Sequence, residues 1–599
     1  MREHEASEPK ELTELLPSEQ VVLGALFHKH AGQPFSTMMT TAESAAEGLS
    51  GVEARSAFIR LRQKGWIRAV RKTWGESLYY IPVHQIPALT AAYAQRIMDN
   101  GLPERGMERD GLELKMTQNN PIQVIQEAKP DIAAEIIHIL AWIAREDLSL
   151  TNKGTVHKRM LQRLSAMTHW CAEDFVGLNL QYEHLDVYPA HVAILLDMLL
   201  SLGLLHKDQG KIQVDAASLG YWLKQSWSFM HREIFKVCMD RYGISSPEAQ
   251  HFRYRLILLG ASHNTWFDIA DVIPQRNKNE ETGDAGQPEY VRSWLNALAG
   301  WGYGEIGEDA FGTLFYRWLI DPEALLHLEV QQAMDTRKNV FFVQPDFEIM
   351  VPPEVTPQVR WKLEYCAELI SLDRMSIYRV TKEQIMNASR NGFTCDKVME
   401  FLDRYAATRV PEHVRMAIQQ WGSEWDRLKM QSDKDAAKNQ IIKPIDFFFM
   451  EKSEKDKSDK DEHMIEPGDS QESFYVQGRE GLVHLGADSF ISEPEQSVVE
   501  ASDLLPEYGS IPDMWHNDWR RYHMSTTRQI TATAIEWQTK LGLKKEQSVV
   551  YIIPDQIQGH DDWTLTGWVV PGTGERAIER CTISPMDWDK IRLIVPEQI

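Results

Sequence analysis

One segment near the N-terminus constrains the fold more than any other part of the sequence. Apolar residues recur at roughly helical spacing from Val52 to Leu61, and a glycine then ends the helix. Two short runs of strand-forming residues follow, at positions 66–70 and 78–82, on either side of a turn. A helix, a glycine stop and a two-stranded wing form the end of a winged helix, which we predict across residues 16–85.

Two later segments repeat this order of elements. Residues 130–216 contain an apolar helix, a polar turn, a basic helix, a further apolar helix and two short strands around Gly210. Residues 220–335 run from an apolar helix through a polar loop to a tryptophan-rich helix and paired strands. The pattern predicts tandem winged-helix-like modules within a multidomain α+β protein, as expected for a chain of 599 residues.

The rest of the chain has a different character. An extended segment closed by prolines and followed by helices predicts a fourth, α/β domain at residues 338–422. Residues 423–512 read as an acidic low-complexity linker, and the window 463–518 alone holds twelve acidic residues against one arginine. Residues 513–599 predict a small α+β domain with one amphipathic helix, three strands and a final helix near Met586.

The formal charge of -23 excludes a histone-like coat of nucleic acid, because non-specific coating depends on widespread Lys and Arg. Nucleic acid would therefore have to bind local basic patches. In the first module the basic residues run continuously from the helix into the wing, and they favour contacts with a DNA groove and its phosphates; they are Arg55, Arg60, Arg62, Lys64, Arg68, Arg71 and Lys72.

A second patch opens the basic helix of the second module. Lys153, Lys158 and Arg159 lie in and after the turn before that helix, where free backbone amides also attract anions. The alternative for both patches is a solvated helix face or a surface for an acidic protein. We predict DNA contact at both.

The sequence contains no motif for a catalytic motor. The nearest approach to a phosphate-binding loop, GLLHKDQGK, has the wrong glycine spacing, and zinc-protease and nucleophile-elbow motifs are absent. The five cysteines are scattered without a C-x-x-C pair, so neither a zinc site nor a disulfide framework is predicted. We therefore expect no enzyme activity, cofactor or metal.

The fourth unit resembles a known family. The phrases VFFVQPDFEIMVPPEVTP and YRVTKEQIMNASRNGFTCDKVMEFLDRYAATRVPEHV are similar to the N-terminal, helicase-associated domain of the XPB-type DNA repair helicases. In that family the domain lies beside the motor and contacts DNA, especially distorted duplex. The ATPase lobes of those helicases are missing here, so the chain is identified as resembling bacterial helicase-associated proteins that carry the domain without the motor.

These features predict a non-enzymatic DNA-binding or DNA-repair accessory protein that docks a separate helicase. A second hypothesis is a protein-interaction scaffold that uses its winged helices and its acidic segment. A third is a ligand-responsive transcription regulator, which rests on the C-terminal domain. The polar N-terminus and the lack of a long apolar run predict a cytoplasmic protein without membrane contact.

Overall fold

The computed structural model describes most residues of the chain. These are residues 12–36, 38–72, 77–98, 121–146, 148–243, 246–258, 263–273, 288–322, 324–325, 340–432, 490–492, 504–505, 508–560, 562–570 and 578–595. They form an α+β protein with several small antiparallel sheets. The predicted α+β multidomain class is therefore confirmed at this level.

The first unit contains three helices, a two-stranded hairpin and a fourth helix. In chain order these are α1 (Pro17–His30), α2 (Thr41–Ala46), α3 (Gly51–Gln63), β1 (Arg68–Lys72), β2 (Ser77–Tyr80) and α4 (Ile86–Met98). Ser50 and Glu53 cap α3 reciprocally, because each side chain accepts a hydrogen bond from the other residue's backbone amide. Gly65 follows α3 with a φ of 70°, which glycine adopts without strain.

The second unit follows the short strand β3 (Gln123–Gln126). Its elements are α5 (Ile132–Arg145), β4 (Leu148–Ser149), α6 (Lys158–Met167), α7 (Ala190–Ser201), β5 (Leu205–Asp208) and β6 (Lys211–Val214). The strands form a sheet in the order β4-β6-β5. The side chain of Asp131 accepts a hydrogen bond from the Ala134 amide and so caps α5.

The third unit begins after two connecting helices, α8 (Ala216–Leu223) and α9 (Trp227–Arg241). It contains α10 (Pro247–Leu258), β7 (Trp266–Asp268), α11 (Glu289–Gly300), β8 (Gly304–Glu308) and β9 (Leu314–Trp318). Its sheet has the order β3-β8-β9-β7, so the strand that precedes the second unit pairs in the third.

The fourth unit alternates strands and helices. Its elements are β10 (Phe342–Val343), β11 (Glu348–Val351), α12 (Pro357–Cys366), β12 (Glu368–Ser371), β13 (Ser376–Arg379), α13 (Lys382–Arg390), α14 (Cys395–Tyr405) and α15 (Glu412–Ser432). Helix α15 continues past residue 422, where the sequence placed the start of the linker. Most of that linker lies outside the described residues, but β14 (Phe490–Ser492) pairs antiparallel with β1.

The C-terminal unit has two helices followed by five strands. These are α16 (Met514–Asn517), α17 (Met524–Trp537), β15 (Leu541–Lys545), β16 (Ser548–Gln558), β17 (Thr564–Val570), β18 (Glu579–Ile583) and β19 (Lys590–Leu593). The sheet order is β18-β17-β16-β15-β19. The three expected strands are found as β16, β17 and β18, and β15 and β19 are additional. The expected final helix was wrong, because the residues near Met586 form only a single 3-10 turn.

The first four units share one continuous hydrophobic core, which extends from Leu15 to Ile418. The C-terminal unit has its own core, but Val52 of α3 is fully buried within it. The predicted modules are therefore packed against one another, in contrast to an array of independent domains joined by flexible linkers.

Candidate nucleic-acid interface

The N-terminal end of α3 is in contact with the C-terminal unit. Arg55 donates a hydrogen bond from Nη2 to the carbonyl oxygen of Trp537, at 3.1 Å, and its Nη1 bonds the side chain of Gln538. The backbone amide of Val52 donates to the carbonyl oxygen of Gln538, and Lys540 pairs with Glu53 at 2.8 Å. Burial lowers the pKa of Arg55. One end of the predicted DNA-reading helix is thus occupied by another part of the same chain.

Two further predicted contacts, Arg60 and Lys64, converge on a buried carboxylate. Arg60 Nε lies 2.9 Å from Glu19 Oε1, and Lys64 Nζ lies 2.7 Å from Glu19 Oε2. Burial acts to raise the pKa of Glu19, but hydrogen bonds from Lys64, the Leu16 amide and Arg60 outweigh it and leave that pKa below its ordinary value. Both cations therefore compensate a charge inside the first unit.

The remaining basic residues of the first module lie on and around its hairpin. The Arg62 guanidinium lies over the Tyr79 ring, 5.3 Å from its centroid. Arg68 is half-buried and Arg71 is exposed on β1, a strand that lies between β2 and β14. The side chain of Lys72 lies outside the described residues. Contact of this hairpin with DNA stays a prediction.

In the second unit the predicted cations face solvent. The turn before α6 is closed by hydrogen bonds between Thr151 and Thr155, including one from the Thr151 amide to the Thr155 carbonyl at 2.7 Å. It places Lys153 at its exposed tip, and α6 follows with exposed Lys158 and Arg159 in its first turn. The structure therefore brings all three residues to one end of α6.

This end of α6 is electropositive for two reasons. First, no carboxylate in the described part of the chain pairs with Lys153, Lys158 or Arg159. Second, the side chain of His157, the residue before α6, makes no capping hydrogen bond, so the amides of the first turn add their partial positive charge. One turn later Arg163 is paired with Glu146 at 3.0 Å, which ends the run of uncompensated cations.

Helix α7, which precedes the hairpin of this unit, cannot present residues to DNA. Ten of the twelve residues of α7 are buried, in keeping with its apolar sequence. Its Asp197 is fully buried, and both carboxylate oxygens bond the Arg241 guanidinium at 2.8 Å. The basic helix α6 is thus the surface helix at this site.

The second unit is also joined to the fourth through a buried polar cluster. His138 Nδ1 lies 2.8 Å from Glu364 Oε2, and the Tyr378 hydroxyl donates to the other oxygen of Glu364 at 2.8 Å. Arg145 Nη1 donates to the Glu364 carbonyl oxygen. In the sequence, His138 is visible only as a histidine on an apolar helix, a pattern that favours a structural role. The sequence does not indicate that Glu364 is its partner.

The described residues lack the features of a metal site or of a membrane-spanning helix. No group of three His, Cys, Asp or Glu side chains is placed to hold a metal ion there. All five cysteines are free thiols. No helix among the described residues combines the length and apolar character needed to cross a bilayer.

Comparison with known families identifies the fourth unit as helicase-related. Residues 341–441 match the family described as the helicase conserved C-terminal domain. The match begins at the strand β10 and covers every helix and strand of the fourth unit. Among curated proteins, no significant match to the chain was found. The chain therefore contains a helicase-related domain. The His138–Glu364 contact joins this domain to the second unit, which carries the exposed cations of α6.

Proposed function

We propose that this chain is a non-enzymatic DNA-binding accessory protein that brings a helicase-related domain to duplex DNA. The observation that carries the proposal is the exposed trio Lys153, Lys158 and Arg159 on the unit joined to residues 341–441. Uncompensated cations at a helix N-terminus suit DNA phosphates, which bind backbone amides and Lys or Arg. The domain would recognise DNA shape or dock a separate helicase.

The proposal includes winged-helix topology for the first three units. Each has a helix, a strand or bridge, a second helical element, a further helix and a hairpin, an order that supports this topology. In the second unit the helix before the hairpin, α7, is buried. DNA would therefore contact α6 and the turn before it through phosphates, with little selection among base sequences.

The finer assignment of the fourth unit is also a proposal. Its sequence resembles the helicase-associated domain of XPB-type repair helicases, which favours a role in DNA repair at distorted duplex. The sequence contains no Walker A loop, so we propose that any ATP-driven step belongs to a partner helicase. The five free thiols suit a reducing compartment, and we propose the cytoplasm.

Fluorescence anisotropy with labelled duplex and forked DNA, each at two salt concentrations, tests the function. The variant Lys153→Ala/Lys158→Ala/Arg159→Ala should weaken binding to every duplex sequence alike. Because each phosphate contact contributes about 0.9 to the slope of log affinity against log salt, the slope should flatten by roughly 2 to 3.

A matched control removes three cations elsewhere, in the variant Lys29→Ala/Lys224→Ala/Lys545→Ala. All three side chains are exposed, and the net charge changes by the same amount. This control should keep the duplex affinity and the salt slope of the unmodified protein. Equal losses in both variants would mean that only overall charge matters, and no duplex binding at low salt would refute the function.

A further inference from the structure

The C-terminal sheet has one face that its own core does not cover. Strand residues alternate between faces, and one set, including Leu541, Ile552 and Leu565, packs in the core with α17. The opposite set forms what we name the outer face; it includes Gly542, Lys544, Tyr551, Ile553, Trp568, Arg580, Lys590 and Arg592.

Three half-exposed aromatic side chains cross the outer face in a diagonal line. Trp519 lies over Gly542, since a Cβ on that glycine would come within 2.6 Å of the Trp519 ring. Gly542 pairs with Tyr551 on the next strand. Trp568 on the strand beyond pairs with Ile553 and is therefore the diagonal neighbour of Tyr551, at about 7–8 Å. The three rings therefore lie over three adjacent strands, with Trp519 over β15, Tyr551 on β16 and Trp568 on β17.

Cations flank the aromatic line at both ends. The Arg592 guanidinium lies 4.9 Å from the centroid of the Trp519 ring, and that of Arg580 lies 6.0 Å from the centroid of Trp568. Lys544 and Lys590 are paired on the neighbouring strands of the same face. The carboxylate of Asp555, which pairs with Arg580, offsets part of this charge. A cationic surface is notable in a chain of net charge -23.

The outer face continues into an open cleft of about 690 Å³ between the C-terminal unit and the first unit. Its lining includes Tyr551, Arg592 and Lys540 on one side and Arg60 on the other. The Nε atom of Arg592 is buried and has no hydrogen-bond partner in the described part of the chain. The Arg592 side chain as a whole is half-exposed and pairs with no carboxylate among the described residues, so its guanidinium is suited to an anionic ligand.

We propose that the outer face binds single-stranded nucleic acid, with bases stacked on Tyr551 and Trp568 and phosphates held by Arg592, Lys544 and Lys590. Aromatic rings beside cations are the general means by which proteins hold single strands, because every base has a face that can stack. Ring stacking and phosphate contacts depend little on base identity, so recognition is largely independent of sequence. This site is separate from the duplex contact proposed for α6.

Anisotropy titration with labelled oligothymidylate and oligouridylate tests the proposal on the full chain. Trp568→Ala should weaken binding by about tenfold, since one stacked base contributes on that order. Trp568→Phe should retain most of the affinity, because a ring remains. The variant Lys544→Ala/Lys590→Ala should flatten the salt dependence by roughly 1 to 2 in slope.

Two controls separate this site from the duplex site and from loss of folding. Tyr221→Ala removes an exposed aromatic side chain from α8 and should leave binding of both oligonucleotides unchanged. Lys153→Ala/Lys158→Ala/Arg159→Ala should lose duplex binding and keep oligonucleotide binding. Two outcomes would show that the outer face is not the site. In the first, the triple variant loses oligonucleotide binding while Trp568→Ala and Lys544→Ala/Lys590→Ala keep it. In the second, the unmodified protein binds neither oligonucleotide.

Discussion

Arg55 and Trp537 are 482 residues apart in the chain, yet the Arg55 guanidinium donates a 3.1 Å hydrogen bond to the Trp537 carbonyl oxygen. The same side chain bonds Gln538, and the neighbouring Val52 is buried in the C-terminal core. Together these contacts fix the C-terminal unit to α3. A residue that the sequence suggested for DNA contact therefore also joins the two ends of the chain.

Replacing Arg55 distinguishes these two roles. Arg55→Ala should lower the free energy of unfolding by about 1–2 kcal/mol, because the partly buried oxygens of Trp537 and Gln538 lose a charged donor. Duplex affinity should not change. Urea unfolding and DNA anisotropy measure the two effects, with Lys158→Ala as a control that should show the reverse pattern. Weaker DNA binding at unchanged stability would instead place α3 on the DNA.

Glu19 should make the stability of the first unit depend on pH. Its side chain is fully buried between Arg60 and Lys64, so Glu19→Gln leaves two cations without their anion and should cost about 2–3 kcal/mol near neutral pH. The pKa of Glu19 is lowered in the folded state, so its contribution is complete above the ordinary carboxyl value of about 4.3 and is lost as the pH falls through the folded pKa.

Urea unfolding at several pH values between neutral and strongly acidic tests this dependence. The difference between the unmodified protein and Glu19→Gln should shrink as the pH falls. Glu14→Gln is a suitable control because Glu14 is exposed on the same segment, and it should have little effect at any pH. A difference that stays constant with pH would show that the Glu19 charge does not contribute.

Local elements were predictable where the sequence carries its own signals. The helix expected to begin at Val52 is found as Gly51–Gln63, and the glycine stop follows its C-cap residue Lys64. Strands are found close to the two expected positions, as β1 and β2. Capping residues and periodicity act over a few positions, and a single sequence displays them. The exposure of Lys158 and Arg159 likewise follows from their place in the first turn of a basic helix.

Relationships between distant segments were not predictable. The amphipathic pattern of the C-terminal domain predicts a helix that continues to Leu543, and this was wrong for the first residues of β15, since a short apolar run fits a helix or a strand equally well. The chain in fact leaves α17 through Gln538, whose φ is 54°, and enters the sheet. Strand β14 pairs with β1, and the C-terminal unit packs on α3. Both arrangements depend on tertiary contacts, for which a single sequence gives no local indication.

The His138–Glu364 contact should be sensitive to pH in the opposite direction to Glu19. Burial acts to lower the pKa of His138, but the charge of Glu364 and its hydrogen bond outweigh burial and raise that pKa. The charged pair therefore stabilises most below the ordinary histidine value of about 6.5. This contribution is lost as the pH rises through the raised folded pKa.

Thermal unfolding of His138→Gln across this pH range measures the effect. The variant should be less stable than the unmodified protein in mildly acidic buffer, and the difference should narrow toward alkaline pH. His206→Gln, a half-exposed histidine 4.0 Å from Asp215, is the control and should show a much smaller difference. A gap that widens as the pH rises would contradict the raised pKa of His138.

Asp197 gives the strongest prediction for stability. It is fully buried on α7, accepts two hydrogen bonds from Arg241 and a third from the Tyr242 hydroxyl at 2.8 Å, and so anchors α7 to α9. Asp197→Ala leaves the buried guanidinium without its anion and should cost about 3–5 kcal/mol. Urea unfolding measures this loss, and Asp208→Ala on the exposed end of β5 is the control. If the double variant Asp197→Leu/Arg241→Met recovers most of the stability, the loss comes from the unpaired charge, because an apolar pair of similar size needs no partner.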